Sequence, residues 1–276
     1  MIIQGATAVV TGAAGGIGRE VARALARRGS RLALCDVDAP ALERLCNELR
    51  QAGHDVFAEP TDIADREQIR HFAESVSERM GGADILVNCA GVYMCGTARD
   101  ISLDDWDWVI SVNLLGVIHT CHFFLPQLAV AGKRAHICNI VSMYGFWPSG
   151  GVTGYLASKF GVFGYSHALA EDLRGTGVGV STVCPGMINT GIIETMRIRG
   201  AGAGAECVRS TLRQKYASRG YGPQRVAAAV TNGIEKDKRL VLVSPEARFI
   251  YYLERFWPWF SRRIARSATR RLFRAS

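Results

Sequence analysis

Tyr155 and Lys159 are the residues whose spacing first suggests chemistry. They stand four apart in Tyr155-Leu156-Ala157-Ser158-Lys159, which on a helix puts both side chains on one face and within reach of each other. A phenol gives up its proton only at about pH 10. An ammonium alongside favours the phenolate and lowers that value. The pair is therefore an acid/base device, able to exchange a proton with a substrate oxygen. A Tyr-x-x-x-Lys pair also recurs by chance, so its meaning depends on what the rest of the chain builds around it.

The start of the chain offers a place to hold a reaction partner. Ala6–Val10 is a short β-prone run, followed by Thr11-Gly12-Ala13-Ala14-Gly15-Gly16-Ile17-Gly18 and a helical pattern through Val21, Ala22, Leu25 and Ala26. In such a strand–turn–helix unit the glycine backbone can approach a pyrophosphate, and the helix N-terminus supplies free N–H groups. A purely structural turn is the alternative. A second strand, Arg31–Cys35, ends at Asp36, about 20 residues past the glycines, where a carboxylate can accept hydrogen bonds from a ribose diol. It would repel a 2′-phosphate. No basic residue interrupts Ala13-Ala14-Gly15, and Val37 follows the acid, so NAD is expected over NADP.

Further elements alternate. A helix begins at Pro40, Asp55–Ala58 is a third strand, and Asp62-Ile63 follows where it can line an adenine pocket. A helix from Asp65 to Met80 leads to a strand, Asp84–Val87, ending in Asn88-Cys89-Ala90-Gly91. A long helical region from Leu103 to Leu128 contains Asn113. Strand Ala135–Val141 ends at Ser142, the helix opened by Tyr155 runs to Leu173, and strand Val178–Cys184 closes at Pro185-Gly186. Apolar strands alternating with helices predict an α/β fold, a parallel sheet covered on both faces.

Composition narrows the class. At 276 residues, with 48% hydrophobic residues and 30 glycines, one large α/β domain is expected. No stretch of 18 or more apolar residues lacks charge, which argues against a spanning helix. The N-terminus shows no secretion signal, and the eight cysteines form no Cys-x-x-Cys pair. Small buried thiols in a reducing cytoplasm are the expectation, and no Cys/His spacing suits a metal. Residues 245–276 hold eight arginines and two glutamates, a net +6 of the total +8. The basic character belongs to this tail, and the body calls for no nucleic acid.

The pieces together resemble the short-chain dehydrogenase/reductase family: Thr11–Gly18, Asn88-Cys-Ala-Gly91, Asn113, Ser142, Tyr155-x-x-x-Lys159 and Pro185-Gly186 occur in family order across residues 5–190. Ser142 stands thirteen residues before Tyr155, and Cys89 replaces the commoner Asn. The resemblance implies one Rossmann-type, doubly wound sheet of seven strands in the order 3-2-1-4-5-6-7, and a homodimer or homotetramer. It implies that Tyr155 exchanges the proton, Ser142 holds the substrate oxygen, and Lys159 binds the nicotinamide ribose and lowers the Tyr155 pKa. Asn113 would hold a water linking Lys159 to solvent, and Thr190 would meet the carboxamide. Other implied cofactor contacts are Gly12, Gly15, Gly16, Ile17, Gly18, Asp36, Asp62, Ile63, Asn88, Ala90, Gly91, Pro185, Gly186 and Ile188.

The segments that would flank a nicotinamide are apolar: Val92, Tyr93 and Met94; Met143, Tyr144, Phe146 and Trp147; Met187, Ile188, Ile192, Ile193 and Met196. No Arg or Lys stands among them before Arg197, whereas an anionic or sugar substrate would call for charged donors. A lipophilic secondary alcohol or its ketone is expected: a steroid, a retinoid-like compound, or a long-chain or cyclic alcohol. Half of these side chains facing the core is the competing reading. A catalytic domain over 1–245 is expected, with an aperiodic substrate lid at 187–222 hinged at Gly200–Gly204. Residues 246–276 read as a basic, aromatic helical extension broken at Pro258, with Phe249, Tyr252, Leu253, Phe256, Phe260 and Ile264 at helical spacing. It would touch a membrane surface, pack on a sister subunit or cover the pocket. The functional alternatives are an NADPH-dependent ketone reductase, a non-catalytic nucleotide sensor and a peripheral membrane scaffold.

Overall fold

Strands that are apolar on both faces need helices on both sides, and the chain places helices between them to supply that cover. The computed structural model of the protein describes residues 1–273; residues 274–276 of the predicted extension lie outside the described residues. In chain order the strands are β1 (Thr7–Thr11), β2 (Arg31–Asp36), β3 (Val56–Pro60), β4 (Ile85–Asn88), β5 (Met94–Cys95), β6 (Ala135–Ile140), β7 (Val178–Cys184), β8 (Arg197–Ile198) and β9 (Leu240–Leu242). The helices are α1 (Gly16–Ala26), α2 (Ala39–Gln51), α3 (Arg66–Met80), α4 (Leu103–Ile110), α5 (Gly116–Leu128), α6 (Thr153–Asp172), α7 (Ala205–Ser218), α8 (Pro223–Glu235), α9 (Pro245–Phe256) and α10 (Pro258–Phe273).

Seven strands form one parallel sheet in the order β3-β2-β1-β4-β6-β7-β9, and β5 pairs separately with β8. With the two short strands set aside, this is the expected 3-2-1-4-5-6-7 order. Val21, Leu25, Leu42, Leu45, Val226 and Ile234 from α1, α2 and α8 bury one face. Phe72, Val76, Val117, Phe124 and Val162 from α3, α5 and α6 bury the other. β1 pairs with β2 on one side and β4 on the other. Strand order reverses there, and the reversal leaves a crevice at the carboxyl ends of these strands.

Contrary to the expectation that no long apolar stretch lacks charge, residues 108–132 carry no Asp, Glu, Lys or Arg, and Leu103–Leu128 is long and apolar enough to cross a bilayer. Here it is a core element, with Val109, Asn113, Val117, Phe124 and Leu128 all buried. A single π-helical turn, Ser111–Leu115, separates α4 from α5. Such turns cluster at functional sites, and this one carries Asn113.

Two expectations need revision. The 187–222 segment contains β8 and the fourteen-residue α7. Val208 and Leu212 are buried one helical turn apart, a period hidden by the surrounding charges. The extension breaks at Pro258 as expected, but its inner face is occupied. Ala247, Ile250 and Ala265 join the core formed by Phe146, Trp147 and Met187, and Tyr251 meets Phe146 edge-on at 5.2 Å.

Candidate active site

The glycine turn is shaped by what sits against it. Gly12 has φ +63°, and a Cβ there would lie 2.6 Å from Ala90 Cα, so the turn closes against the segment after β4 only with glycine. A Cβ on Gly16 would lie 2.9 Å from Thr190 Cβ, which brings the distant 185–190 segment over the start of α1. Gly15, the N-cap of α1, has no side chain to cap the helix. Its amide end therefore remains available to an anionic group. Ala14 N donates to Asp36 Oδ2 at 2.9 Å and Asp38 N to Asp36 Oδ1 at 3.0 Å. The carboxylate is thus fixed at the turn, with lone pairs left for hydroxyl donors. Arg19 donates to Ala14 O at 2.7 Å, so a cation reaches this turn from the helix although none lies in the motif itself.

Asp62 and Ile63 follow β3. Thr61 N donates to Asp36 O at 3.0 Å, which sets Asp62 beside the acid, and its carboxylate accepts from Ala64 N at 2.8 Å. Ile63 is buried against Gly116, where a Cβ would come within 2.7 Å of its Cδ1. Asn88 departs from expectation. It is 2% exposed and sits behind the crevice: Nδ2 donates to Asn139 Oδ1 at 2.8 Å, and Oδ1 accepts from Thr120 Oγ1 at 2.7 Å. Strand alternation turns it toward α5, where it joins β4 to β6 as a buried polar brace.

Ser142, Tyr155 and Lys159 line one cavity together with Ile17, Gly91, Pro185, Gly186, Ile188 and Thr190. Ser142 ends the segment after β6, and Tyr155 and Lys159 project from the first turns of α6. All three are buried. Lys159 Nζ donates to Ile140 O at 3.0 Å and lies 5.8 Å from the Tyr155 ring centroid. Burial lowers the Lys159 pKa to about 8 and pushes Tyr155 well above the ordinary phenol value. The group that opposes the rise at Tyr155 is its hydrogen-bond partner Ser142. Burial strips water from both charged forms, and it is the largest influence on each group.

Asn113 is fully buried. Its Nδ2 donates to Val92 O at 2.9 Å and Ser158 Oγ at 3.1 Å, while its Oδ1 accepts from Val92 N at 2.8 Å. Both amide protons are spent, so the side chain ties the chain after Gly91 to α6. A Cβ on Gly91 would sit 3.2 Å from Asn113 Oδ1 and 3.5 Å from Lys159 Nζ, so glycine keeps the space between them open.

The predicted apolar lining divides. Tyr93, Tyr144, Ile188 and Ile192 face the cavity, and Tyr93 meets Tyr155 edge-on at 4.5 Å. Met143, Phe146, Trp147 and Met187 instead turn into the core beneath α9, and Met94 is fully buried beside Val109. Sequence reasoning missed three contributors. Tyr216 of α7 lines the cavity; only its spacing from Leu212 could have signalled it. Glu246 and Ser244, at the start of α9, crowd Gly186 so closely that no side chain fits there, and no local signal marked them.

A family model described as short chain dehydrogenase matches residues 6–199. The chain is 35% identical over 260 residues to the probable oxidoreductase EphD of Mycobacterium tuberculosis, covering 93% of this chain and 44% of that protein. It therefore spans less than half the length of that relative. It is 35% identical over 205 residues to 1-deoxy-11-beta-hydroxypentalenate dehydrogenase of Streptomyces exfoliatus, covering 73% and 74% of the two chains. A short chain dehydrogenase/reductase from Burkholderia phymatum, solved in complex with NAD, superposes with a TM-score of 0.84 at 31% identity, covering 92% and 95%.

Proposed function

The chain belongs to the short-chain dehydrogenase family, and from that premise we propose that it is an NAD-dependent dehydrogenase interconverting a lipophilic secondary alcohol and its ketone. Enzymes of the family use NAD(P), and the residues present suit that group. The uncapped α1 N-terminus and the side-chain-free turn at Gly12, Gly15 and Gly16 would receive the pyrophosphate. Asp36 would receive the adenosine ribose diol, Lys159 the nicotinamide ribose, and Thr190 the carboxamide. When bound, the oxidised cofactor supplies the hydride acceptor and a positive ring that favours the phenolate.

The remaining chemistry is the chain's own. Loss of hydride from a secondary alcohol leaves a carbonyl, and the hydroxyl proton must leave as well. Tyr155 accepts it at the phenolic oxygen, and in the reverse direction returns it. Ser142 holds both the phenol and the substrate oxygen. Asn113 braces the Gly91–Val92 segment against α6 and so fixes that part of the cavity wall. The observation that carries this reading is the convergence of Ser142, Tyr155 and Lys159 on one cavity walled by Tyr93, Tyr144, Ile192 and Tyr216. Those walls favour an apolar substrate body. Family members commonly assemble as oligomers, and a dimer or tetramer is proposed here.

Tyr155→Phe tests the reading. With NAD and a panel of steroids and of cyclic and long-chain alcohols, turnover at 340 nm should fall by about 10²–10⁴-fold, the contribution of a positioned acid/base group. Cofactor binding should persist. Full activity in the variant would remove Tyr155 from the mechanism. Arg19 on the glycine turn favours a second reading, an NADPH-dependent ketone reductase, and tighter binding of NADPH than NADH would establish it.

A further inference from the structure

The arginines of the body are mostly paired. Arg23 meets Glu48, Arg28 meets Glu235, Arg31 meets Asp55, Arg199 meets Asp105 and Arg213 meets Glu194. The junction of α9 and α10 is different. From Arg255 to residue 276 there are seven arginines and no acid. Among the described residues, Arg255, Arg262, Arg263 and Arg266 form no ion pair with an acid, and all four are exposed. Unpaired cations of one sign on a short segment repel one another unless an anionic surface meets them.

The same junction exposes large aromatic rings. Phe249, Tyr252, Phe256, Trp257 and Trp259 are each more than half exposed. They lie on the outer side of a segment whose inner side, Ala247, Ile250, Leu253, Ser261 and Ala265, is buried. The rings fall in two groups on either side of Pro258: Tyr252 stacks on Phe256 at 6.5 Å and Phe256 meets Trp257 at 6.1 Å, while Trp259 meets Phe260 at 5.7 Å. Pro258 separates the two helices. Scattered apolar residues on a surface need no explanation, but six exposed large rings within residues 249–260 mark an interaction site.

We propose that the α9–α10 elbow docks on a lipid bilayer bearing anionic headgroups, with Phe256, Trp257, Trp259 and Phe260 entering the interface and Arg255, Arg262, Arg263 and Arg266 meeting the headgroups. Tryptophan beside arginine suits the boundary between acyl chains and water, since the ring has an apolar body and a polar N–H, and the guanidinium binds phosphate. A second copy of this chain is a poorer occupant. A symmetric contact through this face would set arginine rows against each other, and like charges across an interface oppose association. The inference is independent of the hydride chemistry, because docking is measured without turnover.

The test is co-sedimentation of the full chain with phosphatidylcholine vesicles and with vesicles that also contain phosphatidylglycerol, at low and high salt. The chain should bind the anionic vesicles at least about tenfold more tightly, lose that preference at high salt, and show a blue shift in tryptophan emission when bound. Two variants separate the contributions. Trp257→Ser/Trp259→Ser/Phe260→Ser should abolish the blue shift and most of the binding, and Arg262→Gln/Arg263→Gln should reduce the preference for anionic lipid several-fold. None of the five side chains is buried, so the core stays filled, and an unchanged circular dichroism spectrum and thermal midpoint confirm the fold. Failure to bind anionic vesicles at low salt would overturn the proposal. So would a lipid-free oligomer that dissociates in the aromatic variant, which would assign the patch to a second copy. Binding to duplex DNA that depends on the arginines but not the aromatics would overturn it in favour of a nucleic acid.

Discussion

In the function proposed, Asp36 would set cofactor choice through charge. Two backbone N–H groups hold its carboxylate at the glycine turn, so it cannot swing away from an incoming 2′-phosphate. Arg19 sits on the same turn, and removing the acid would leave that cation unopposed. Asp36→Asn should therefore raise affinity for NADP relative to NAD by at least about tenfold, the equivalent of about 1.4 kcal/mol. Fluorescence titration with the two reduced cofactors checks this, and an unchanged ratio would dissociate Asp36 from the choice. Position was legible in the sequence at this scale: the four-residue step from Tyr155 to Lys159 and the reach from glycines to Asp36 follow from helix and strand geometry. Environment was not. Nothing in Tyr155-Leu156-Ala157-Ser158-Lys159 says that both groups lie dry enough for burial to outweigh their attraction, because the burying side chains come from Tyr93, Tyr144 and Tyr216 elsewhere in the chain.

At the scale of elements, the short β5–β8 strap depends on one buried acid. β8 pairs with β5 through Arg197 and Met94. Asp105, 3% exposed at its side chain, accepts from Arg199 at 2.6 and 2.8 Å and from Arg197 at 3.2 Å. Arg197 also lies over the Trp108 ring at 3.7 Å. The Arg199 hydrogen bonds hold the Asp105 carboxyl down at about 2. A depressed carboxylate contributes stability that is complete above its ordinary pKa and is lost only as pH falls through the folded value, so at neutral pH the strap is fully latched. Asp105→Asn should cost about 1–2 kcal/mol, toward the low end for hydrogen bonds to charged groups because both arginines can rehydrate. The loss should be local. Amide exchange at Arg197 and Arg199 should quicken about tenfold while β6 is unaffected; uniform quickening would make Asp105 a general core residue instead. The sheet order was implied only by the family resemblance, whereas the alternation of strand and helix was legible because period and turn chemistry are local. The strap and α7 were not, because β8 is two residues long and gains its stability from Asp105, more than ninety positions away.

For the molecule as a whole, stability in mild acid should hinge on a histidine far from the crevice. His136 lies within β6, 1% exposed. Ser181 Oγ donates to Lys238 O at 2.6 Å, so its contact with His136 Nε2 at 2.8 Å is the one in which the ring donates. Burial lowers the His136 pKa from the ordinary 6.5 to about 4, against the opposing pull of Asp237. The sign follows from which state takes up the proton first. Below the ordinary value the unfolded chain binds a proton that the folded protein refuses, so the stability tied to the neutral ring is complete above about 6.5 and declines until pH reaches about 4. The full excursion is on the order of 3 kcal/mol, a substantial share of the 5–15 kcal/mol typical of a folded domain. The thermal midpoint should therefore drop between pH 7 and pH 5, before most carboxylates titrate. His136→Gln, which keeps a donor for Ser181 without a titrating ring, should flatten that slope while lowering the midpoint at pH 7 modestly. An equal slope in the variant would place the acid sensitivity elsewhere. Because β6 is the strand that delivers Ser142 and accepts the Lys159 ammonium at Ile140, the same acid range should loosen Ser142 and Lys159 in step with the sheet, and any activity lost at pH 5 should return on neutralisation.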